Sequence, residues 1–141
     1  MTEIAVKFLD QGLHRVLFDA MPMPVFVVDE DVTVLEYNPA AAQFLGQEKQ
    51  MVLRRRGGDV LHCLHALEVP GGCGRAPACA ACIVRKAVRS AMSDFPLTRA
   101  CTRLERVIED RPSLVDLRVT ARAFSYEGHP LVLLVLEGLN D

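Results

Sequence analysis

The sequence predicts an α+β fold with five strands and with its helices gathered mainly in the first half and middle of the chain. Apolar residues at three- and four-residue steps indicate helices at the start and in the middle, whereas apolar and polar residues alternate in the last third, as in half-buried strands. Turn-forming residues separate these segments, and neither an internal repeat nor a linker interrupts them. At 141 residues, the chain is long enough to form one domain with its own core.

The first element is predicted to be an amphipathic helix over residues 4–21. Its apolar stripe consists of Phe8, Leu9, Leu13, Val16, Leu17 and Ala20. Pro22 and Pro24 follow, and they end the helix because proline lacks the backbone N–H that continues the hydrogen-bond ladder.

A β-hairpin and a short helix come next. Residues 25–28 read as a buried strand and residues 32–37 as a second strand, joined by the acidic turn 29–31. Asn38 is suited to cap a helix over residues 39–45, because its side chain can accept a hydrogen bond from a free amide of the first turn. Proline at the first helical position is well tolerated.

The second half is predicted to hold one helix and three strands. Apolar residues from Cys82 onward share one helical face, and a Phe-Pro pair ends this helix. Strands are predicted over residues 98–108, 114–125 and 131–137, with turns at "EDRPS" and "YEGHP". Cys101 lies in the first of these strands and is predicted to be a small buried apolar residue.

The segment "LFDAMPMPVFVVDEDVTVLEYNPAAAQFLG" resembles the opening of a PAS domain, and the three last strands with "YEGHPLVLLVLEGLND" resemble its second half. The resemblance implies a lead-in helix over residues 1–21 and a single PAS domain over residues 22–141. It also implies a PAS-like five-stranded antiparallel sheet with helices on one face and an N-terminal amphipathic helix. Asn38 is a pocket residue only by this resemblance.

The resemblance further implies a role. PAS domains usually sense signals or mediate protein–protein signalling inside larger regulators, so the chain is expected not to be an enzyme. We expect a homodimer formed through the N-terminal helix, and a signalling partner or output domain such as a histidine kinase.

Charge and hydropathy narrow the partners and the location. The net charge is −2, which gives no electrostatic reason to expect nucleic acid. The N-terminus lacks the basic start and apolar block of an export signal, and no apolar run approaches the length of a membrane span. We therefore expect a cytoplasmic protein without a membrane or nucleic-acid partner.

The sequence departs from the usual PAS pattern in one segment, residues 57–82, which reads as a cysteine-rich insertion. Its pattern "GDVLHC…GCG…CAAC" resembles a cysteine-rich variant of bacterial sensory PAS modules. In the family, the corresponding segment normally covers the pocket. The insertion carries Cys63, Cys73, Cys79 and Cys82, with intervals of nine, five and two residues between successive cysteines. In the cytoplasm thiols stay reduced, which favours metal binding or redox chemistry over structural disulfides.

Four thiolates suffice for a tetrahedral zinc site or for one iron–sulfur cluster. The small apolar residues of "APACAAC" favour an iron–sulfur cluster shielded from water, while structural zinc and metal-free thiols remain alternatives. His62 and His65 flank Cys63 and are possible alternative ligands. Arg75, Arg85 and Lys86 could offset the negative charge of a four-thiolate site.

The functional hypothesis is a cytoplasmic sensory PAS module whose four-cysteine metal centre, with iron–sulfur favoured, senses redox state or oxygen. One alternative is a zinc-stapled or metal-free module for ligand binding or dimerisation. The other is a thiol–disulfide redox switch.

Overall fold

A computed structural model gives the fold. It describes residues 12–45, 54, 56–57, 63, 68, 70–75, 79, 82–93, 97–108 and 110–139. The helices and strands in these ranges are, in chain order, α1 (Leu13–Ala20), β1 (Val25–Val28), β2 (Val34–Tyr37), α2 (Pro39–Leu45), α3 (Ile83–Ser93), β3 (Leu97–Ile108), β4 (Arg111–Tyr126) and β5 (His129–Gly138).

The five strands form one sheet in the order β2-β1-β5-β4-β3, and every neighbouring pair is antiparallel. The first and last strands of the chain therefore lie side by side, with Phe26 opposite Leu134. The predicted α+β class and the five-stranded antiparallel sheet are confirmed.

Two tight turns set the register of the C-terminal strands. Glu127 and Gly128 both have positive φ angles, of 50° and 80°, and Tyr126 pairs with His129 across them. This two-residue turn matches the right-handed twist of the flanking strands. Between β3 and β4, Ile108 pairs directly with Arg111, so β4 begins three residues earlier than the predicted start at residue 114.

Helices α2 and α3 cover one face of the sheet, which we call the inner face. The buried residues of this layer are Phe26, Val28, Val32, Val34, Tyr37, Ala41, Leu45, Val84, Ala87, Val88, Ala91, Val119, Ala121, Val132, Leu134 and Leu136. The apolar face predicted for the helix from Cys82 onward is thus the one that packs on the sheet in α3, while Lys86 and Arg89 are exposed.

Helix α1 covers part of the opposite, outer face. Phe18 packs there in a second buried cluster with Val25, Val27, Leu35 and Leu131. Consequently all four residues of β1 are buried, because this strand is covered on both sides.

On β3 the outer face is exposed. Arg99, Cys101, Arg103 and Glu105 alternate with more buried residues and point to solvent. The prediction that Cys101 is buried is therefore wrong. Its position in the strand places Cys101 on the outer face. In the described residues, helix α1 packs on that face, but its buried Phe18 contacts β1, β2 and β5 and not β3.

Two other strand starts differ from the prediction by two residues each. Strand β5 begins at His129, two residues before the predicted start at residue 131. Strand β2 begins at Val34, not at residue 32, because Val32 has a φ angle of 60° and the ladder is irregular between Val27 and Val28. Residues 4–11 of the predicted first helix lie outside the described residues, and the division at residue 21 stays a prediction. No helix in the described ranges has both the length and the apolarity to cross a membrane.

Candidate functional site

The four cysteines of the insertion are all described, are not joined in disulfides and have different local settings. Cys63 forms an isolated antiparallel bridge with Arg106 of β3. Cys73 is buried in a turn, whereas Cys79 and Cys82 are partly buried. The Cys79 carbonyl accepts a hydrogen bond from the Cys82 amide at 3.1 Å, so these two residues lie on one turn that leads into α3.

The donor set has the chemistry of a metal site, since thiolates bind both zinc and iron–sulfur clusters. In the described part of the chain, however, no three His, Cys, Asp or Glu side chains lie close enough to share a metal ion. His62 and His65 lie outside the described residues. A centre held by all four cysteines stays a prediction, and it requires the insertion to adopt another arrangement.

What the structure does bring to the cysteine segment is a cluster of charges centred on Asp31, in the turn between β1 and β2. The carboxylate accepts hydrogen bonds from Arg56 Nε at 3.0 Å and Arg75 Nη2 at 3.1 Å. It also accepts one from Arg85 Nη1 at 2.9 Å. We call these four side chains the Asp31 junction.

Arg85, on α3, is the member that reaches a cysteine. Its Nη2 donates to the Cys73 sulfur at 3.2 Å and to the Asp31 carbonyl oxygen at 3.1 Å. The Arg85 side chain is only 9% exposed. One guanidinium thus joins a helix, the β1–β2 turn and the cysteine segment.

Two further features fix this contact. Arg56 Nη1 donates to the carbonyl oxygens of Gly71 at 2.8 Å and Cys73 at 3.2 Å, which holds the backbone of the turn. Gly74 has a φ angle of 87°, and a Cβ atom there would lie 2.3 Å from the Arg85 guanidinium carbon. Only glycine allows both this backbone conformation and the close approach of Arg85.

The junction stabilises the charged form of its carboxylate. Burial alone would raise the pKa of Asp31, but hydrogen bonds from Arg85, Arg75 and Arg56 and the charge of Arg85 outweigh it. The pKa of Asp31 falls from 3.8 to about 2. Burial acts to lower the pKa of Arg85, but its interactions with Cys73 and Asp31 outweigh burial and raise this pKa. The side chains are therefore held as ions at neutral pH.

Asp29 places Asp31 in this position. The Asp29 carboxylate accepts hydrogen bonds from the amides of Asp31 at 3.0 Å and Thr33 at 2.9 Å. This local turn is typical of aspartate, whose short side chain can mimic a backbone acceptor.

At the other end of β2, the amide of Asn38 is used entirely by the backbone. Its oxygen accepts hydrogen bonds from the amides of Val25 and Ala41, both at 3.0 Å. Its nitrogen donates to the carbonyls of Phe18 at 3.4 Å, Met21 at 3.3 Å and Met23 at 3.0 Å. The predicted helix cap is confirmed, and the side chain also ties the end of α1 to the sheet. A pocket role for Asn38 stays a prediction.

A buried arginine lies where Cys63 meets the sheet. Arg106 places its guanidinium carbon 5.0 Å from the centre of the Phe44 ring, and burial lowers the pKa of Arg106. Nearby, residues 105–107 and 112–114 line an open cavity of about 190 Å³. This volume is below the range of about 300–1,000 Å³ that is usual for small-molecule sites.

The sequence suggested Arg75, Arg85 and Lys86 as counter-charges for a four-thiolate site. Arg85 donates to the Cys73 sulfur, whereas Arg75 binds Asp31 and Lys86 is exposed. Sequence reasoning missed Asp31 and Arg56. Asp31 reads as an ordinary turn residue, and Arg56 as part of a solvated basic loop. The arginines lie 25, 44 and 54 residues from Asp31, so no local pattern could reveal that they converge.

Comparison with known proteins supports the family suggested by the sequence pattern. A family model for the PAS domain matches residues 12–78. No curated protein matches the chain at a significant level.

Solved PAS domains share the fold. That of an HTR-like protein from Haloarcula marismortui is 21% identical, with a TM-score of 0.58 over 97% of this chain and 99% of that chain. That of a Colwellia psychrerythraea protein is 15% identical, with a TM-score of 0.62 over 89% and 92%. That of nitrogen regulation protein NR(II) from Vibrio parahaemolyticus is 12% identical, with a TM-score of 0.56 over 92% and 100%.

The matched segment covers α1, the β1–β2 hairpin, α2 and most of the cysteine segment. The overall fold is similar to that of the Haloarcula marismortui PAS domain over 97% of this chain. Residues 12–78 thus match the PAS domain family, and the chain has the fold of solved PAS domains.

Proposed function

We propose that this PAS domain is a non-enzymatic, cytoplasmic sensory module whose cysteine segment, residues 57–82, is the sensing element. The observation that carries the proposal is the 3.2 Å contact from Arg85 Nη2 to the Cys73 sulfur. Because the same guanidinium also holds Asp31, a chemical change at Cys73 acts directly on α3 and on the β1–β2 turn. The proposed sensor is thereby linked to the sheet.

The proposed sensing group is a four-cysteine metal centre, with an iron–sulfur cluster favoured. Such a cluster, when bound, supplies a group that responds to oxygen and to redox state. Cys63, Cys73, Cys79 and Cys82 would hold it. The short turn from Cys79 to Cys82 and the arginine donor at Cys73 support this assignment, because they place two thiols one turn apart and counter the charge of a third.

In such a centre, the residues around Cys73 and Cys82 would hold the sulfurs and move when the oxidation state or occupancy of the centre changes. Arg56 and Arg85 hold the Cys73 turn by its carbonyl and its sulfur, respectively. Cys82 precedes α3, and its carbonyl accepts the Lys86 amide at 2.9 Å, so a displacement of Cys82 passes directly to the first turn of the helix. A change in the position of Cys73 or Cys82 would therefore act on both attachments.

Anaerobic purification tests this proposal, followed by iron and acid-labile sulfide analysis and a visible spectrum. We expect stoichiometric iron and sulfide and a broad visible absorbance that a Cys73→Ser variant weakens. The matched control is Cys101→Ser, at the exposed cysteine of β3, which should keep both. A colourless, iron-free wild-type protein that cannot be reconstituted would contradict the iron–sulfur assignment.

A metal-free thiol switch is the second candidate, favoured by the one-turn separation of Cys79 and Cys82. Two electrons and two protons would leave this pair to a disulfide or peroxide oxidant as a disulfide forms. It predicts loss of two free thiols on mild oxidation with no visible absorbance. A colourless protein with one zinc per chain would instead support the zinc-stapled alternative.

We also propose a homodimer through the N-terminal helix, with a histidine kinase or similar regulator as the output. On α1, Phe18 faces the sheet, while Leu13, Val16 and Leu17 are exposed apolar residues on the remaining surface. Replacing Val16 and Leu17 by glutamate should lower the mass in solution from dimer to monomer by light scattering. An unchanged mass would contradict this interface.

A further inference from the structure

The loop that joins β1 and β2 contains a strained residue. The Asp29 amide donates to the Thr33 carbonyl oxygen at 3.2 Å, so the loop between them consists of residues 30–32. Val32, the last of these, has a φ angle of 60°. In hairpin loops of this length the left-handed position is usually glycine, and a β-branched residue is rare there because its side chain is crowded by the backbone. Val32 is thus held in a conformation that its side chain disfavours.

Burial holds the Val32 side chain in this position. The residue is 1% exposed and belongs to the buried layer of the inner face, together with Val84 and Val88 of α3. Gly57 leaves the space for it, since a Cβ atom on Gly57 would lie 2.9 Å from Val32 Cγ1. The Gly57 amide also donates to the Val32 carbonyl oxygen at 2.8 Å. The packing of Val32 therefore opposes the strain of its backbone.

The Asp31 junction fixes the backbone on either side of Val32. Asp31, the preceding residue, accepts a hydrogen bond from Arg75 of the cysteine segment at 3.1 Å. Thr33, the following residue, pairs with Arg56 in an isolated antiparallel bridge, and Arg56 also donates to the Asp31 carboxylate. Strained backbone persists only where its surroundings over-determine it. Here those surroundings include a contact from the cysteine segment.

We propose that the β1–β2 loop is a conformational switch: the Asp31 junction holds Val32 in its left-handed conformation, and displacement of the cysteine segment lets the loop relax and withdraws Val32 from the buried layer. The second half of this inference rests on the proposed function, whereas the strain does not. Burial and backbone strain oppose each other at one residue, which favours two arrangements that differ little in free energy. The loop thereby converts a change at the surface into a change in packing against α3.

Paired alanine and glycine variants measure the strain. We compare Val32→Ala with Val32→Gly, and Val34→Ala with Val34→Gly as the matched control. Val34 is also a valine of the buried layer with 1% exposure, but it has no positive φ angle. Alanine and glycine differ by one methyl group, so the comparison reports mainly on the backbone. At a positive φ angle glycine is favoured, whereas within a strand alanine is favoured.

At position 32 we expect the glycine variant to have a folding equilibrium constant about tenfold larger than the alanine variant, as measured by chemical denaturation. At position 34 we expect the reverse order, with alanine favoured about threefold. If alanine is favoured at both positions, Val32 is not strained and the proposal fails. A Val32→Gly variant that does not fold, beside a Val32→Ala variant that does, has the same meaning.

Hydrogen exchange then tests whether the Asp31 junction holds the strained loop. The reporter is the Gly57 amide, which donates to Val32, and the internal control is the Leu136 amide, which donates a 3.0 Å hydrogen bond next to β1. In Asp31→Asn we expect exchange at Gly57 to be about tenfold faster and exchange at Leu136 to be unchanged. Glu30→Gln, in the same loop, should match the wild type at both amides.

The same substitution in the Val32→Gly chain separates strain from a simple loss of contacts. Without strain to oppose, Asp31→Asn should accelerate exchange at Gly57 by less than about threefold there. Equal acceleration in both chains, or none in either, would overturn the switch. Both measurements use reduced, metal-free protein. A wild type that takes up no iron therefore ends the iron–sulfur assignment, while these amides still decide whether the switch exists.

Discussion

Strand β2 has a polar junction at each end, and the two junctions are built on opposite principles. At its C-terminal end, the neutral amide of Asn38 is 1% exposed and makes all its hydrogen bonds to backbone groups. Before its N-terminal end, the Asp31 carboxylate is 35% exposed and is held by three charged side chains. The first joins α1, β1 and α2, whereas the second joins the sheet to the cysteine segment and α3.

The difference indicates what each junction can do. Backbone groups do not change charge, and no solvent competes for them at the Asn38 junction, so that junction is a permanent part of the fold. The Asp31 junction depends on long side chains and on ionic charge, so it responds to pH, to salt and to the state of Cys73. The cysteine segment, the proposed sensing element, is thus attached by contacts that can be broken at low cost.

The largest expected effect is at the permanent junction. Asn38→Ala removes a side chain that satisfies five backbone groups, and we expect it to lower the free energy of unfolding by about 3 kcal/mol or more, at about 1–3 kcal/mol for each buried group left unpaired. Chemical denaturation measures the loss. Gln43→Ala, on the exposed side of α2, is the control and should change stability by less than about 0.5 kcal/mol. A loss below about 1 kcal/mol for Asn38→Ala would remove the contrast between the two junctions.

A smaller effect is expected at the charged junction. Asp31→Asn keeps the shape but removes the charge that holds three arginines, and we expect a loss of about 1–2 kcal/mol, because the carboxylate is partly exposed and screened. Glu30→Gln, an exposed position in the same turn, is the matched control. If both variants unfold at the same denaturant concentration, the Asp31 junction contributes no more than an ordinary surface charge.

The smallest effect, and the one that most sharply separates the junctions, is the response to acid. The pKa of Asp31 is lowered from 3.8 to about 2 in the folded state, so the junction's stabilisation is present above pH 3.8 and is lost as pH falls toward about 2. After allowance for solvent screening, we expect the difference in free energy of unfolding between wild type and Asp31→Asn to shrink by about 1 kcal/mol over that range.

The matching measurement is the difference in free energy of unfolding between wild type and Asn38→Ala at the same pH values. This difference should stay constant, because Asn38 has no titrating group and contacts only backbone. If the difference in free energy of unfolding between wild type and Asp31→Asn is equally independent of pH, the carboxylate charge does not hold the three arginines.

Local patterns in the sequence determined most of the fold. The helix over Pro39–Leu45 and the strand over Val25–Val28 lie where the sequence predicts them, because proline, asparagine and apolar runs act on their immediate neighbours. The predictions that are wrong concern residues whose exposure or backbone conformation is not determined by their neighbours in the sequence. Cys101 is exposed because the sheet face on which it lies is uncovered around it, and Val32 adopts a positive φ angle inside an apolar run.

In the cysteine segment, too, local spacing predicts one feature and only the structure shows another. Spacing alone identifies Cys79 and Cys82 as a pair, and the structure places them on one turn. The carboxylate that anchors the segment could not be found in this way. Asp31 and Arg85 are 54 residues apart, and each is locally unremarkable.

The sequence by itself determined the order of most helices and strands, since periodicity, turn residues and caps are short-range effects, and its resemblance to PAS domains implied the fold. Only the tertiary structure decided which charges meet those cysteines. Electrostatic contacts depend on distance in space, and the sheet brings together Asp31, Arg56, Arg75 and Arg85 from positions that no pattern along the chain relates.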